Sequence, residues 1–149
     1  MTVINELGAN KILWASIFSC FLAQFIKVAI DIIRYKSLNV ALFISTGGMP
    51  SSHSSLVTTM AAMIGFGQGF DSPVFALAAV ISLVVMYDAA GVRRAAGKQA
   101  EVLNLLLTKL ETNGVLIDKK LKELLGHSPV EVACGALLGV AVALVFDGL

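Results

Sequence analysis

The sequence predicts an all-α fold, a polytopic membrane bundle of about four transmembrane helices with one or two amphipathic helices at the membrane surface. Hydrophobic residues make up 57% of the 149 residues and charged residues 14%, and the mean hydropathy is +0.85. Soluble domains are nearer a quarter charged. A net charge of +1 and two cysteines exclude a disordered chain, a charge-driven nucleic-acid binder and a disulfide scaffold. We expect one integral-membrane domain over residues 1–149.

Four apolar runs predict the transmembrane helices, at about 12–33, 54–70, 74–91 and 129–146. Each is near the length that crosses a hydrocarbon core of about 30 Å. The second run is the least apolar, but its Gly65 and Gly69, like Gly135 and Gly139 in the fourth run, have the small-residue spacing that lets helices approach closely in lipid. The alternative is that the glycines at 67 and 69 only loosen a helix end.

The first run and the two cysteines need separate interpretation. A cleaved signal peptide is the alternative for the first run, but Glu6 precedes it beside a single Lys11, and no small-residue cleavage pattern precedes Lys27. Cys20 and Cys134 lie inside apolar runs and lack redox or metal spacing, so they are expected to be small buried hydrophobes.

Basic residues set the expected orientation. With four spans, both termini lie on one side of the membrane, and the loop after the first helix and the stretch 92–128 lie on the other. All but one of the basic residues belong to the second side: Lys27, Arg34, Lys36, Arg93, Arg94, Lys98, Lys109, Lys119, Lys120 and Lys122, against Lys11 alone. The positive-inside rule therefore predicts cytoplasmic loops and termini on the opposite side, in a bacterial plasma membrane or an organelle membrane.

The long second loop has helical periodicity. Val102, Leu103, Leu106 and Leu110 repeat at helical spacing over 99–110, and apolar residues repeat less regularly over 116–125. The Asn-Gly pair at 113–114 separates the two segments. We expect two amphipathic helices in the headgroup region, with basic residues toward anionic lipid.

Ionisable residues within or at the mouths of the spans are candidates for a functional site, because charge is costly in a membrane. They all fall toward the predicted cytoplasmic ends of the helices, and they are Lys27, Asp31, Arg34, His53, Asp88, Arg93, Arg94, His127 and Glu131. Both histidines of the protein therefore join a set of cations at one membrane face.

Lys27, Asp31 and Arg34 are spaced by four and three residues and form one stripe on the first helix. Two cations with a single acid between them favour an anionic ligand. The alternative is that Lys27 and Arg34 reach toward lipid headgroups without forming a site.

The segment Gly-Gly-Met-Pro-Ser-Ser-His-Ser-Ser at 47–55 indicates a loop that enters a helix N-terminus. Free backbone N–H groups and the helix dipole at such a point favour phosphate. Serine hydroxyls add donors, and His53 can exchange a proton near neutral pH. The alternative is helix capping by Ser51 or Ser52, with His53 in solvent.

The segment His127-Ser-Pro-Val-Glu131 repeats this design before the fourth run. Ser128, Pro129 and Glu131 match a capping box, which needs no function. The functional alternative places Glu131 behind a ring nitrogen of His127, an arrangement that activates an imidazole nucleophile. The two interpretations are compatible, although we expect that Glu131 cannot fully serve both.

Asp88 ends the third run and is followed by Arg93 and Arg94. An ion pair at the membrane surface is one interpretation of these residues. The other is that the arginines are forked donors to a phosphoryl group.

Together these residues resemble a known family. Lys27 with Arg34, Pro50-Ser51-Ser52-His53, and His127 with an acid four residues later resemble, in order and rough spacing, the three-part signature of the type-2 phosphatidic acid phosphatase and vanadium haloperoxidase superfamily. The string at 47–55, with the residues from Asp88 to Arg94 and from His127 to Glu131, looks like its small divergent membrane branch. The resemblance covers nearly the whole chain.

The resemblance implies a role for each residue. Lys27, Arg34, Ser51 and the backbone of Ser52 would bind phosphate oxygens. His53 would protonate the leaving group, and His127 would attack phosphorus to form a phosphohistidine with Glu131 behind it. Neither metal nor cofactor is implied, because cationic side chains and helix N-termini stabilise the charge on the phosphoryl group.

Four positions depart from the family pattern. Tyr35 replaces the usual proline, Ser52 the usual glycine and Glu131 the usual aspartate. Leu121 occupies the position where the third motif has an arginine. Either Arg93 or Arg94 replaces that arginine from elsewhere in the sequence, or the site binds phosphate without hydrolysing it. Familiar members also have a six-helix core, in contrast to the four spans expected here.

The expected function is a metal-independent membrane lipid-phosphate phosphatase that faces the cytoplasm and acts on a phosphomonoester or diphosphate. The alternatives are a non-catalytic lipid-phosphate binding or transport protein with the same pocket, and a purely structural membrane protein. Expected partners are the lipid substrate and membrane lipid, with no nucleic acid. A homodimer through the glycine-lined faces would help to bury the pocket.

Overall fold

The computed structural model describes residues 2–36, 47–111, 121 and 126–148. Within those residues every regular element is an α-helix, which confirms the all-α fold class. The helices are α1 Val3–Gly8, α2 Lys11–Tyr35, α3 Ser52–Gln68, α4 Pro73–Ala90, α5 Val92–Glu111 and α6 Pro129–Asp147. Four of them, α2, α3, α4 and α6, coincide with the four apolar runs.

Serine caps fix where three of the long helices begin. Ser51 caps α3, Ser72 caps α4 and Ser128 caps α6, each accepting a backbone N–H of the first turn through its side-chain oxygen. Pro73 and Pro129 hold the first helical positions, where a missing N–H costs no hydrogen bond.

Helix α3 lies at the centre of the bundle and packs against α2, α4 and α6. Its contact with α6 depends on Gly135 and Gly139, because a Cβ at Gly135 would overlap the Ser51 carbonyl oxygen and one at Gly139 would overlap Thr58. The close approach lets the Thr59 hydroxyl donate to the Gly139 carbonyl at 3.0 Å. Small residues therefore bring these helices together as the sequence predicts.

Buried hydroxyl groups continue across the other faces of α3. Ser19 on α2 contacts Ser55 on α3, and the Ser82 hydroxyl on α4 donates to the Val57 carbonyl at 2.9 Å. Such bonds between helices stabilise a bundle in lipid, where the hydrophobic effect drives association weakly.

Three helical stretches of the described residues are long and apolar enough to cross a membrane: Lys11–Arg34, Pro73–Lys109 and Pro129–Asp147. The bundle is therefore that of an all-helical membrane protein. Helix α3, with 17 residues, is not among these three stretches, so the count of four spans stays a prediction.

The surface segments differ from the prediction in their bounds. Helix α5 begins at Val92, seven residues before the predicted 99, because Gly91 interrupts the helical path after α4 for a single residue. The second predicted surface helix, over 116–125, lies almost wholly outside the described residues. The short helix α1 carries little apolar periodicity and was not predicted.

Candidate functional site

Three neighbouring cavities open at one end of the bundle and share their walls. The first is lined by both histidines together with Asp88 and Arg93. The second, about 230 Å³, is lined by His127, Glu131 and Arg94, and the third, about 500 Å³, by Lys27, Asp31, Arg34 and Glu131. The structure thus brings the predicted ionisable residues to the same end of the molecule.

His127 and Glu131 form the centre of this region. Nδ1 of His127 lies 3.1 Å from Oε2 of Glu131, and the histidine is 2% exposed. The same Oε2 accepts the Ser128 backbone N–H at 3.2 Å, and Ser128 Oγ accepts the Glu131 N–H at 3.3 Å. The expectation that Glu131 cannot serve both the cap and the ring was wrong, because one oxygen reaches both donors.

The ring of His127 presents its second nitrogen without a partner. A carboxylate only accepts hydrogen bonds, so Nδ1 carries the proton and Nε2 the lone pair of the neutral ring. Nε2 is one of two buried side-chain polar atoms of the described residues that have no hydrogen-bond partner. A buried imidazole nitrogen with a free lone pair and an oriented ring is suited to nucleophilic attack.

Burial lowers the pKa of His127 below its ordinary value of about 6.5. The hydrogen bond and negative charge of Glu131 oppose this shift, and the positive charge of Lys27 adds to it. His127 is therefore neutral at pH 7, the state that a nucleophile requires.

The main chain before α6 holds His127 in place. Its backbone N–H donates to the Ala89 carbonyl at the end of α4, at 2.9 Å. Gly126 has a φ of +87°, and a Cβ there would overlap the backbone of Arg94 on α5. Only glycine meets both requirements without strain.

A buried asparagine on α5 adds a second attachment. The Asn104 side chain donates to the Leu121 carbonyl at 2.7 Å and accepts the Leu121 N–H at 2.8 Å. Leu121 stands where the resemblance expects an arginine, and Asn104 holds it through its backbone N–H and carbonyl groups. This contact between residues far apart in sequence has no local motif and was not predicted.

The cationic stripe of α2 lines one cavity, as its spacing predicts. Lys27, Asp31 and Arg34 face this space together with Glu131 of α6. Lys27 is 4% exposed, and its aliphatic stem runs along Gly48, where a Cβ would lie 3.1 Å from Cδ. Because Lys27 is buried against this loop, its ammonium group does not extend toward lipid headgroups, whereas Arg34 is exposed.

The loop at 47–55 places His53 beside His127, with the ring centroids 6.2 Å apart. Ser51 is fully buried and caps α3, its Oγ accepting the Ser54 N–H at 3.4 Å, and its own N–H donates to the Glu131 carbonyl at 3.0 Å. Ser52 is also buried, at the start of α3. The capping interpretation therefore describes Ser51, while His53 is exposed on the wall of the cavity.

Asp88 and Arg93 form the ion pair that was one interpretation of this segment, with Nε 2.6 Å from Oδ2. The aspartate lies in the last turn of α4 and the arginine in the first turn of α5, so each charge is unfavourable for its own helix dipole and is compensated by the other. Arg93 lines the cavity of the two histidines, and Arg94 lines the neighbouring one.

Comparison with known proteins decides the family. A family model described as the divergent PAP2 family, PAP2 denoting the type-2 phosphatidic acid phosphatases, matches residues 8–142. The chain belongs to the divergent PAP2 family. YuiD, an uncharacterized membrane protein of Bacillus subtilis (strain 168), is 42% identical over 153 residues, which cover 94% of this chain and 96% of the relative. No solved structure matches the chain.

Membership of the divergent PAP2 family confirms the resemblance found in the sequence, and the match includes all three signature segments. It also includes the whole of α2, whose Ala15, Ser19 and Ala23 are fully buried in the bundle. Among the described residues, no group of three or more His, Cys, Asp or Glu side chains is arranged to hold a metal ion.

Proposed function

We propose that this member of the divergent PAP2 family is a membrane lipid-phosphate phosphatase that works through a phosphohistidine. The observation that carries the proposal is the buried His127, with Nδ1 on Glu131 and Nε2 without a partner, next to His53 and near Lys27. Substrates of suitable chemistry are phosphatidic acid, phosphatidylglycerol phosphate and a polyprenyl diphosphate.

The reaction proceeds in two steps. The Nε2 lone pair of His127 attacks phosphorus, the bond from phosphorus to the lipid oxygen breaks, and His53 gives that oxygen a proton. Water then attacks the phosphohistidine, His53 takes a proton from it, and the P–N bond breaks to release phosphate and restore His127. Glu131 accepts the Nδ1 hydrogen bond throughout and stabilises the positive charge that develops on the ring.

Positive charge around the phosphoryl group comes from side chains and helix ends. Lys27 and Arg34 line the larger cavity on one side of Glu131, and Arg93 and Arg94 line the other two. The N-termini of α3 and α6 lie at the same end and add oriented dipoles. Stabilisation of this kind acts where charge develops in the transition state.

The basic residues support a cytoplasmic orientation of the site. The proposed arrangement has four crossings, by α2, α3, α4 and α6, with the cavities and α5 on the cytoplasmic side and both termini opposite, as the positive-inside rule favours. Gly135 and Gly139 pack on α3 within the chain, so a homodimer would need a surface other than these glycines.

A second function is binding or transport of the lipid phosphate without hydrolysis. The contacts of Leu121 and of Arg93 favour it. The backbone of Leu121 is fixed by Asn104 where the resemblance expects an arginine, and Arg93 is paired with Asp88. Such a pocket would keep its cations and use His127 only as a hydrogen-bonding group.

Phosphate release from a panel of lipid phosphates tests the enzyme directly, with purified protein, a chelator, and His127→Ala as the comparison. We expect release by the wild type, none by His127→Ala, and phosphate binding by both. His127→Gln serves as a second variant that fills more of the buried space. Phosphate binding with no release from any substrate would reject the phosphatase and support the binding protein.

A further inference from the structure

Two of the three cavities at the charged end of the bundle share part of their wall at Glu131 but differ in its chemistry. The wall of the larger, about 500 Å³, includes three apolar side chains, those of Ile30, Met49 and Val130. Among the described residues, the wall of the smaller, about 230 Å³, includes none and consists of glycine, serine, histidine and charged residues. We call the smaller one the polar cavity.

The two walls favour different contents. Ile30, Met49 and Val130 are 43%, 44% and 64% exposed, so they offer an apolar border to a bound lipid. The polar cavity offers no such surface to a hydrocarbon tail, and contact with a tail would remove water from its charged groups at a cost in free energy. Water and small ions are the contents that its wall favours.

Arg94 and Lys98 make the polar cavity suitable for an anion. They stand one turn apart on α5, and both line the cavity. Arg93 is paired with Asp88, whereas the side chains of Arg94 and Lys98 make no ion pair within the part of the chain that the structure describes. Guanidinium and ammonium groups both bind phosphate oxygens.

Neither carboxylate of the same wall occupies these two cations. Oε2 of Glu131 is engaged by His127 and by the Ser128 backbone N–H. Glu101 is exposed on α5 and, among the described residues, forms no ion pair. Arg94 and Lys98 are therefore available to a small anion that enters the cavity.

We propose that the polar cavity is the aqueous route of the site, through which water reaches the phosphohistidine and inorganic phosphate leaves along Arg94 and Lys98. The inference rests on the proposed function, in which the second step consumes one water and releases one phosphate. His127 lines the polar cavity, so its ring is within reach of water held there. Because the lipid alcohol stays beside the apolar wall of the larger cavity, the two products leave by different openings.

Thiol labelling tests the position of phosphate without relying on hydrolysis. In a Cys20→Ser, Cys134→Ser background, Glu101→Cys puts a thiol on the wall of the polar cavity and keeps both cations. Gln99→Cys, also exposed but on the opposite side of α5, is the matched control. Each protein is placed in bilayer nanodiscs, which leave both membrane faces accessible, and reacts with a charged, water-soluble methanethiosulfonate with and without inorganic phosphate.

Saturating phosphate should slow labelling of Glu101→Cys at least about threefold and leave labelling of Gln99→Cys unchanged, because only the first thiol lies beside the bound ion. Adding Lys98→Gln should remove the protection. Equal labelling of Glu101→Cys with and without phosphate would overturn the inference even if the protein hydrolyses lipid phosphates. Protection without hydrolysis of any lipid phosphate would uphold the phosphate site in the polar cavity and reject the phosphatase.

A lipid phosphonate distinguishes a headgroup from free phosphate. Nanodiscs that contain the phosphonate analogue of phosphatidic acid, which cannot be hydrolysed, should label Glu101→Cys as fast as nanodiscs of phosphatidylcholine alone. Protection by the phosphonate lipid equal to that by inorganic phosphate would overturn the inference, because the polar cavity would then hold the headgroup.

Product inhibition gives a second test once hydrolysis is found. Lys98→Gln should raise the inhibition constant of inorganic phosphate at least about fivefold, with little change in KM for the lipid, because one charged contact to the released phosphate is lost. Lys11→Gln, at the opposite end of the bundle, is the control and should change neither constant. An unchanged inhibition constant in Lys98→Gln would contradict the aqueous route.

Discussion

Oε2 of Glu131 lies 3.1 Å from Nδ1 of His127 while it closes the capping box of the helix on which it stands. The cap immobilises the carboxylate, and the carboxylate orients the ring. The requirements of helix formation and of a nucleophilic histidine are met here by one side chain.

Glu131→Gln should lower the kcat of phosphate release by up to about 10⁴-fold, the size of loss typical when the carboxylate that orients a catalytic histidine becomes an amide. The amide can direct an N–H at Nδ1 and favour the wrong tautomer. The control is Ser128→Ala, which removes the capping hydroxyl at a cost of about 1 kcal/mol in stability but leaves the ring contact. If both variants lose kcat equally, capping rather than ring orientation is the role of Glu131.

The acid limb of the pH profile of kcat/KM should have its midpoint below about 6.5, because burial lowers the pKa of His127 and only the neutral ring attacks. Glu131 raises this pKa, so Glu131→Gln should move the limb to still lower pH. Profiles of both proteins, measured from acidic to neutral pH, test the sign. A midpoint above the ordinary histidine value would show that His127 is not the group that titrates.

Gly139→Ala should destabilise the bundle by about 1–3 kcal/mol, because the new methyl group would overlap Thr58 and approach the Ser55 carbonyl oxygen of α3. Gly67→Ala is the matched control, since nothing lies within 4 Å of a Cβ at that position. Unfolding in detergent, followed by circular dichroism, compares the two. Equal stabilities would mean that α3 and α6 are not in close contact at Gly139.

Asn104→Leu should loosen the segment before His127, because both hydrogen bonds to Leu121 are lost, each worth about 0.5–1.5 kcal/mol. Hydrogen exchange of the Leu121 amide should become faster. The exposed Gln99 on the same helix provides the control Gln99→Leu. Unchanged exchange at Leu121 in the Asn104 variant would contradict the contact.

Arg93→Gln should weaken vanadate binding more than Arg94→Gln does, because Arg93 lines the cavity of both histidines whereas Arg94 lines the adjoining one. A charged hydrogen bond is worth about 1.5–3 kcal/mol, which corresponds to a loss of roughly tenfold or more. Calorimetric titration of the two variants gives the comparison. A larger loss for Arg94→Gln would assign the replacement of the third-motif arginine to Arg94.

Much of the fold could be predicted from local features. Apolar runs of membrane length gave α2, α3, α4 and α6 with bounds close to those observed, and serine-proline pairs marked the starts of α4 and α6. These signals act within a few residues of the chain, so they are visible in the sequence. The clustering of the ionisable residues could also be predicted, because each of them lies near the same end of its helix.

The features that could not be predicted depend on contacts between segments that are distant in the sequence. Asn104 is one amide among the apolar residues of α5, and nothing near it indicates that it binds Leu121. Gly126 resembles an ordinary loop glycine until the backbone of Arg94 is seen against it. Both roles of Glu131 were predicted, but the expectation that it could not fully serve both was wrong, because a single carboxylate oxygen can accept two hydrogen bonds.

The cations and the histidine reach the ribosome exit at different times. Lys27 and Arg34 belong to α2, whereas the N–H of His127 bonds to Ala89 at the end of α4 and its ring is paired by a residue of α6. A nascent chain in which α2, α3 and α4 have formed already carries Lys27 and Arg34, but it has no paired imidazole. The complete constellation exists only after α6 has been synthesised and has packed on α3.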